Sequence, residues 1–570
     1  MTFKKLLTSK LFISLFINSA FFAFTLLFTD LKNGTNDDPG IAALLAGAYG
    51  NFPEPKQFFI NSLLGYFLYP LYSFAPSVNW FVIFQLTLSM LAFVGMTYVL
   101  LNRLDFFWGL LVSALIVGVG SEDAYVLYQW TKTTAICSYC GFFLLAEYVI
   151  KNKASGWMLV WGGLLIVFGA MLRWDAFLES LSFVWILFFI LYWECKKERV
   201  VNDIAVKKRK LLICFFALFS SLVLSTKFQQ ITMEDGNYAF YKSYNEARAW
   251  VTDYNDAGFA SMVYDKDYKL FRSWRFYDPE IFSLEVVNSY KKQIRESPHL
   301  FWLHLKRALS LRMIDRLIFY PVFILDLFLL VLIVSFQRQK SPFALLCFGM
   351  ASLLYIYLLF RGRIVYRIEF VIWFGVAIIE SWLFCQPKKN SEKMLFLLAF
   401  AALVVWKIPL YNDYLSKQKG MLKETYSNND VYNRRHYLIS NPCPGKADSL
   451  RLEMQAHPEN LYLLSPAADE RQQSVNLCQY TSVLPGSLKN QIPLGSWLVY
   501  WPSVTESLKE LGVENPLKSL VNDNVYVVGR AGVDDDALRQ YLERHYYDRV
   551  TVRLVKSVDG VGIYKYEKVQ

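Results

Sequence analysis

The sequence predicts an α-helical polytopic membrane protein with a smaller α/β domain at its C-terminal end. Three observations carry this. Of 570 residues, 55% are hydrophobic, 17% aromatic and only 19% charged, against about 25% charged in soluble domains. The apolar residues come in long blocks, and a helix rising about 1.5 Å per residue needs roughly 20 of them to cross the hydrocarbon. Beyond residue 411 such blocks stop and the composition becomes that of a soluble protein.

The first block, 11–28, follows Lys4, Lys5 and Lys10. No small-residue cleavage site follows it, so it reads as a retained span rather than a signal peptide. Clear blocks recur at 81–101, 211–228, 317–336, 342–360 and 394–411. Lysine and arginine in short loops mark the cytoplasmic side. The richest loop is 196–210, with Lys196, Lys197, Arg199, Lys207, Lys208, Arg209 and Lys210. Arg338 with Lys340, the cluster Lys388, Lys389 and Lys393, the pair Lys151 and Lys153, and the N-terminus follow. If every block crossed, the N-terminus and the 196–210 loop would fall on opposite sides. The segment 57–74 carries Pro70, Asn61, Gly65 and several tyrosines, and is expected to lie in the interface.

About eleven spans result, at 11–29, 80–101, 106–120, 131–150, 156–172, 177–194, 211–228, 317–336, 342–360, 364–384 and 394–411. The N-terminus is then cytoplasmic, in a bacterial-type plasma (inner) membrane. The outer face carries loops 30–79, 121–130 and 229–315 and everything from 412 onward. The expected domains are a transmembrane module, 1–411, and an extracytoplasmic α/β domain, 412–570. In the latter, 460–464, 497–501 and 525–528 read as strands, 504–511 as a helix and 534–545 as an amphipathic segment. Residues 549–555 and 561–566 alternate like a hairpin.

The net charge of +11 does not indicate nucleic acid. The basic residues sit beside apolar blocks, and no zinc-finger spacing or base-reading helix accompanies them. No Ser-His-Asp pattern, Walker loop or dinucleotide fingerprint is present, which argues against a pump that hydrolyses ATP itself. His299 and His304 lack helical metal spacing. Cys137 and Cys140 lie in an apolar span and read as small packing residues. Cys443 and Cys478 fall outside, where pairing is permitted.

Chemistry has four candidate places. Thr35-Asn36-Asp37-Asp38-Pro39-Gly40 sets two carboxylates just past the first span, fit for a general base or a metal ligand; the bland alternative is a solvated turn. Glu122 and Asp123 precede Trp130-Thr131-Lys132-Thr133, a carboxylate pair beside a cation, or else an interfacial loop with a snorkelling lysine. Arg173-Trp174-Asp175, and Arg361, Arg363 and Arg367, place arginines on the outer side against the topology rule. Their expected partners are a lipid phosphate or a carboxylate such as Glu369 or Asp175. The large outer loop carries Tyr238, Tyr241, Tyr244, Asn245, Arg248, Trp250, Asp253, Tyr254, Arg272, Trp274, Arg275, Tyr277 and Asp278, a set suited to sugar rings and equally to the membrane interface.

This layout resembles the GT-C superfamily of membrane glycosyltransferases. The likeness lies in Asp37-Asp38 after the first span, the interfacial segment 57–74, seven spans before a large outer loop, and the outer segment 412–570. It covers the whole chain as architecture. The TKT and RWDAF stretches are also similar to those of uncharacterised bacterial membrane proteins. The resemblance implies a polyprenyl-phosphate sugar donor in the bilayer and a cell-surface glycan or lipid-linked acceptor. Asp38 or Asp37, with Asp38 preferred, would be the general base for inverting transfer. Arg173, Arg361, Arg363, Arg367 and Lys132 would hold the donor phosphate. Glu122, Asp123, Asp175, Tyr244 and Arg248 would serve the acceptor, the sugar or a metal. A divalent cation at Glu122 and Asp123 is the candidate cofactor, and none is assigned. Two alternatives stand beside this. One is a polysaccharide polymerase or lipid-linked glycan transporter without a first-loop base. The other is a receptor or scaffold that acts through its C-terminal domain.

Overall fold

The structure is a computed structural model. It describes residues 9–28, 31–35, 37–151, 155–198, 204–253, 263, 265–309, 317, 320–361, 365–387, 389–390, 393–394, 396–398, 401, 449–465, 483–530, 536–558 and 560–569.

In chain order the elements are α1 (Lys10–Phe28), β1 (Lys32–Asn33), α2 (Asp37–Leu45), α3 (Ser62–Phe74), α4 (Trp80–Arg103), α5 (Phe106–Ser121), a π-helical turn (Glu122–Val126), β2 (Leu127–Tyr128), α6 (Trp130–Ile150), α7 (Trp157–Leu172), α8 (Trp174–Glu198) and α9 (Ile204–Met233). The large loop forms α10 (Gly236–Thr252), α11 (Tyr268–Arg272), α12 (Leu284–Glu296) and α13 (His299–Ala308). Then come α14 (Pro321–Phe336), α15 (Ser341–Phe360) and α16 (Tyr366–Leu383). The C-terminal region holds α17 (Ser449–Gln455), β3 (Leu461–Leu464), β4 (Gln491–Pro493), α18 (Pro502–Glu510), β5 (Val525–Arg530), α19 (Asp536–His545), β6 (Val550–Val558) and β7 (Val561–Lys568).

Among the described residues, 7 helices are long and apolar enough to cross a membrane, and α7 and α14 are shorter apolar helices. Together with α16 they occupy the first ten expected spans. The eleventh, 394–411, lies mostly outside the described residues.

The chain divides into two compact units, and the division does not follow the 411/412 boundary suggested by composition. The first comprises Met1–Gly34, Phe81–Thr226 and Ala308–Cys443; the second comprises Thr35–Trp80, Lys227–Arg307 and Pro444–Gln570.

In the first unit α6 is buried along nearly its whole length. Small residues let α7 approach it: a Cβ on Gly141 would meet the Gly162 carbonyl at 2.7 Å, and one on Gly162 would meet the Gly141 carbonyl at 2.7 Å. The Thr134 hydroxyl donates to the Gly169 carbonyl at 3.0 Å. Close packing of small residues, with hydroxyls bonding across, is how helices associate where no hydrophobic force drives them together. On the other flank, the Tyr139 hydroxyl donates to the Val371 carbonyl of α16 at 2.9 Å.

Basic residues from three places in the chain meet at one end of this unit. Lys10 at the start of α1 donates to the Leu101 carbonyl at 2.6 Å. Arg103 at the end of α4 pairs with Glu194 of α8 at 3.2 Å and stacks on Trp382 at 3.7 Å. Lys340, between α14 and α15, reaches Glu194 at 3.4 Å. Because α1 begins and α4 ends there, the segment that joins them starts and finishes at the opposite end of this unit. The helix within it, α3, has 13 residues, about 20 Å of rise, too short for a span.

The second unit is built on a 5-stranded sheet ordered β4-β3-β5-β7-β6. β3 runs parallel to β4 and β5, whereas β7 runs antiparallel to β5 and β6. The hairpin, the first and third expected strands and both expected helical segments are present. The expected strand at 497–501 is instead a turn in which Tyr500 adopts a φ of 64°. Its apolar run satisfies itself on ring packing: Trp497 meets Phe59 edge-to-face at 4.8 Å and Trp501 meets Tyr241 edge-to-face at 4.7 Å. The segment also bonds along the first loop. Gly486 donates to the Gly47 carbonyl at 3.0 Å and Leu488 to the Ala48 carbonyl at 2.8 Å.

Helix α3 belongs to this unit. It buries Leu64, Leu68 and Tyr72 and leaves Tyr66, Phe67, Tyr69, Leu71 and Phe74 exposed. Gln229 fixes its start, accepting from the Ser62 backbone at 2.7 Å and donating to the Gln57 carbonyl at 2.7 Å.

Candidate functional site

In the second unit the first-loop carboxylates open α2. Asp38 is only 1% exposed, and its Oδ2 accepts from the Thr35 hydroxyl at 3.1 Å. Asp37 is partly exposed. The turn packs on aromatic rings from distant parts of the chain. A Cβ on Gly40 would meet Trp497 Cζ2 at 2.7 Å, so only glycine allows the indole that close. Tyr241 of α10 lies within electrostatic reach of Asp37. Its ring is buried between Trp501 and Phe58, and its hydroxyl makes no hydrogen bond among the described residues. Loss of hydration pushes the phenol well above its ordinary pKa, and the Asp37 charge pushes the same way.

Glu54 ties the three segments of this unit together. Its carboxyl accepts from the Tyr238 hydroxyl at 2.7 Å, the Ser503 hydroxyl at 2.8 Å and the Trp501 indole at 3.0 Å. Loss of hydration raises its pKa above the ordinary carboxylate value, and the three hydrogen bonds oppose that shift. Nothing in the local sequence marks Glu54, which stands between Pro53 and Pro55.

Two large-loop candidates are tied to neighbours within this unit. Arg248 donates to Asn245 at 2.6 Å, Thr252 at 2.9 Å and Asp253 at 2.7 Å, and lies over Trp274 at 5.1 Å. The Tyr244 hydroxyl donates to the Phe282 carbonyl at 3.1 Å, and its ring meets Tyr500 at 4.5 Å. Asp278 is likewise an internal hub, accepting from Tyr541 at 2.7 Å, Tyr546 at 2.8 Å and Asn515 at 2.8 Å.

The short outer loop lies in the first unit. The π-helical turn presents Asp123 to Lys132 at 2.8 Å, with side chains 0% and 1% exposed. Such turns concentrate at functional sites. The ammonium also donates to the Leu127 carbonyl at 2.7 Å and the Tyr366 hydroxyl at 3.4 Å. The Lys132 ammonium is thereby held within this turn. Asp123 is an ion-pair carboxylate, and Glu122 beside it is partly exposed. Among the described residues no three His, Cys, Asp or Glu side chains converge as a metal ion would require, so the candidate cation carries no step below.

Arg173 pairs with Asp175 at 3.2 Å and lies 5.9 Å from the Trp130 ring. The local carboxylate is therefore one partner of this outer arginine. Glu369 accepts from the Tyr355 hydroxyl at 3.3 Å. Arg361 and Arg367 are partly exposed at the end of α15 and the start of α16. Arg363, Cys443 and Cys478 lie outside the described residues. Comparison with known protein families and with curated proteins finds no match for the chain.

Proposed function

We propose that the chain is a membrane glycosyltransferase of GT-C type, moving a sugar from a polyprenyl-phosphate donor to a glycan or lipid-linked acceptor on the outer face of the plasma membrane. The observation that carries this reading is the setting of the Asp37-Asp38 turn. Two carboxylates at the start of a helix are bordered by Trp497 and Tyr241, rings from the C-terminal segment and the large loop. Carboxylates beside aromatic faces suit a sugar hydroxyl and its ring. The exposed apolar face of α3 supports a position at the lipid–water boundary, where an amphiphilic donor presents its sugar.

The step is a displacement. An acceptor hydroxyl loses its proton to the base, its oxygen bonds to the anomeric carbon with inversion, and the bond to the polyprenyl phosphate oxygen breaks. Exposure favours Asp37 as the base, because a base must reach the hydroxyl; Asp38 is enclosed and holds Thr35. This reverses the order of preference read from sequence. The leaving phosphate dianion requires electrostatic stabilisation of its developing charge. The topology that goes with this reading is eleven spans, a cytoplasmic N-terminus and the second unit outside.

The test is transfer from a panel of polyprenyl-phosphate sugars by purified protein in liposomes. Asp37→Asn is expected to lower the rate about 10²–10⁴-fold at unchanged folded yield, and Asp38→Asn to act chiefly through stability. Transfer that survives both changes removes the first-loop base. No transfer from any donor, with both variants fully active in cells, would favour the polymerase or transporter reading.

A further inference from the structure

An ionisable side chain inside an apolar membrane helix is costly and ordinarily faces a partner. Asp326 of α14 and Glu380 of α16 have none. Both are 0% exposed, and none of their four carboxyl oxygens makes a hydrogen bond among the described residues. They interact electrostatically with each other, and the buried thiol of Cys347 in α15 interacts with both. Three consecutive helices thus place a protonatable group in one interior region. The indole N–H of Trp373 in α16, 1% exposed, also lacks a partner.

The groups on the surrounding helices do not neutralise the pair. Tyr139 of α6 stands near Cys347 but donates its hydroxyl to Val371. Glu179 of α8 interacts with Arg173 and Asp175. Helix α5 has no ionisable residue between Phe106 and Ser121. Among the described residues no lysine, arginine or histidine makes a hydrogen bond or ion pair with the two carboxyls. Removing an ion from water without compensation costs several kcal/mol, and apolar residues of similar volume would pack more stably. A pair with no structural benefit and no internal counter-charge calls for an external cation. Among the described residues no group of three ligands for a divalent metal is built.

We propose that Asp326 and Glu380 form an intramembrane site for one monovalent cation, a proton or a sodium ion. One carboxyl stays protonated, and the other, as a carboxylate, either binds sodium, with the acid's carbonyl oxygen as a further ligand, or takes up the proton. Occupancy neutralises the region and so tightens α14 against α16. The site is independent of the glycosyl-transfer reading.

The experiment uses the purified full-length protein in detergent, with sodium chloride against choline chloride at fixed pH, and separately a pH titration without sodium. Melting temperature and the infrared carboxyl stretch are recorded. If sodium is the ion, sodium but not choline raises the melting temperature saturably by a few degrees. If the proton is the ion, sodium has no effect and a protonated-carboxyl band appears and disappears with pH. In the Asp326→Asn/Glu380→Gln double variant the relevant response is lost. The infrared titration of the wild type needs no variant to fold. Wild-type melting and carboxyl bands that are indifferent to both sodium and pH, or responses that persist in the double variant, overturn the proposal.

Discussion

A buried ion pair and a buried carboxyl held by neutral donors respond to perturbation in different ways, and the protein contains both. Lys132 and Asp123 face each other at 2.8 Å with almost no exposure. Removing one partner leaves an uncompensated charge, a loss of about 3–5 kcal/mol. Lys132→Met is therefore expected to reduce folded yield sharply, and adding Asp123→Leu to recover much of it, as read by a double-mutant cycle on detergent unfolding. A lysine that acted only on a donor phosphate would instead lose transfer at normal stability. Glu54 has a pKa raised above 4.5 by loss of hydration. A raised folded pKa means that its contribution is fully present below the unfolded value and is lost as pH rises through the folded value. Relative to Glu54→Gln, which keeps the shape but cannot titrate, the wild type is expected to gain melting temperature as pH falls. A difference independent of pH would show that Glu54 does not titrate in the folded protein. At this scale sequence gave partial guidance. The types and places of Asp37, Asp123 and Lys132 were legible, but which charge is enclosed and by whom depends on residues far along the chain.

Among elements, the α6–α7 pair depends most on having no side chain. Gly141 and Gly162 leave less than a methyl group of room between the helices. Gly162→Leu is expected to destabilise the first unit by about 1–3 kcal/mol through overpacking, visible as earlier unfolding in a denaturing-detergent titration. Gly118, where a Cβ meets nothing within 4 Å, serves as the control and should tolerate alanine. The long helices were readable because apolar block length is a local property of the sequence. The 497–501 segment was misread for the same reason: an aromatic run has strand composition, yet its rings found partners in the first loop and the large loop rather than in a sheet.

The second unit is the whole-molecule finding. Residues Thr35–Trp80 and Lys227–Arg307 fold with Pro444–Gln570 rather than with the helices that flank them in sequence. Truncation after residue 448 is expected to abolish function by removing Trp497, Trp501 and Ser503 from the first loop, whether or not the C-terminal region binds anything. Protease sensitivity of the 35–80 loop in the truncated protein, with the membrane helices intact, would show this. Loss of function on truncation therefore does not by itself identify a receptor or scaffold, and Asp37→Asn remains the discriminating change.

By itself the sequence determined the membrane class and the positions of the long apolar helices, since hydrophobic length acts locally and adds along the chain. Tertiary structure alone decided that Asp38 is enclosed and Asp37 is not, that Lys132 is engaged by Asp123, and that Asp326 and Glu380 share an interior region with no hydrogen-bond partner among the described residues. It also joined Glu54 to Trp501 across 447 residues. The physical reason is that the free energy of a buried polar group is set by its neighbours in space, and for these residues the deciding neighbours come from other helices and loops.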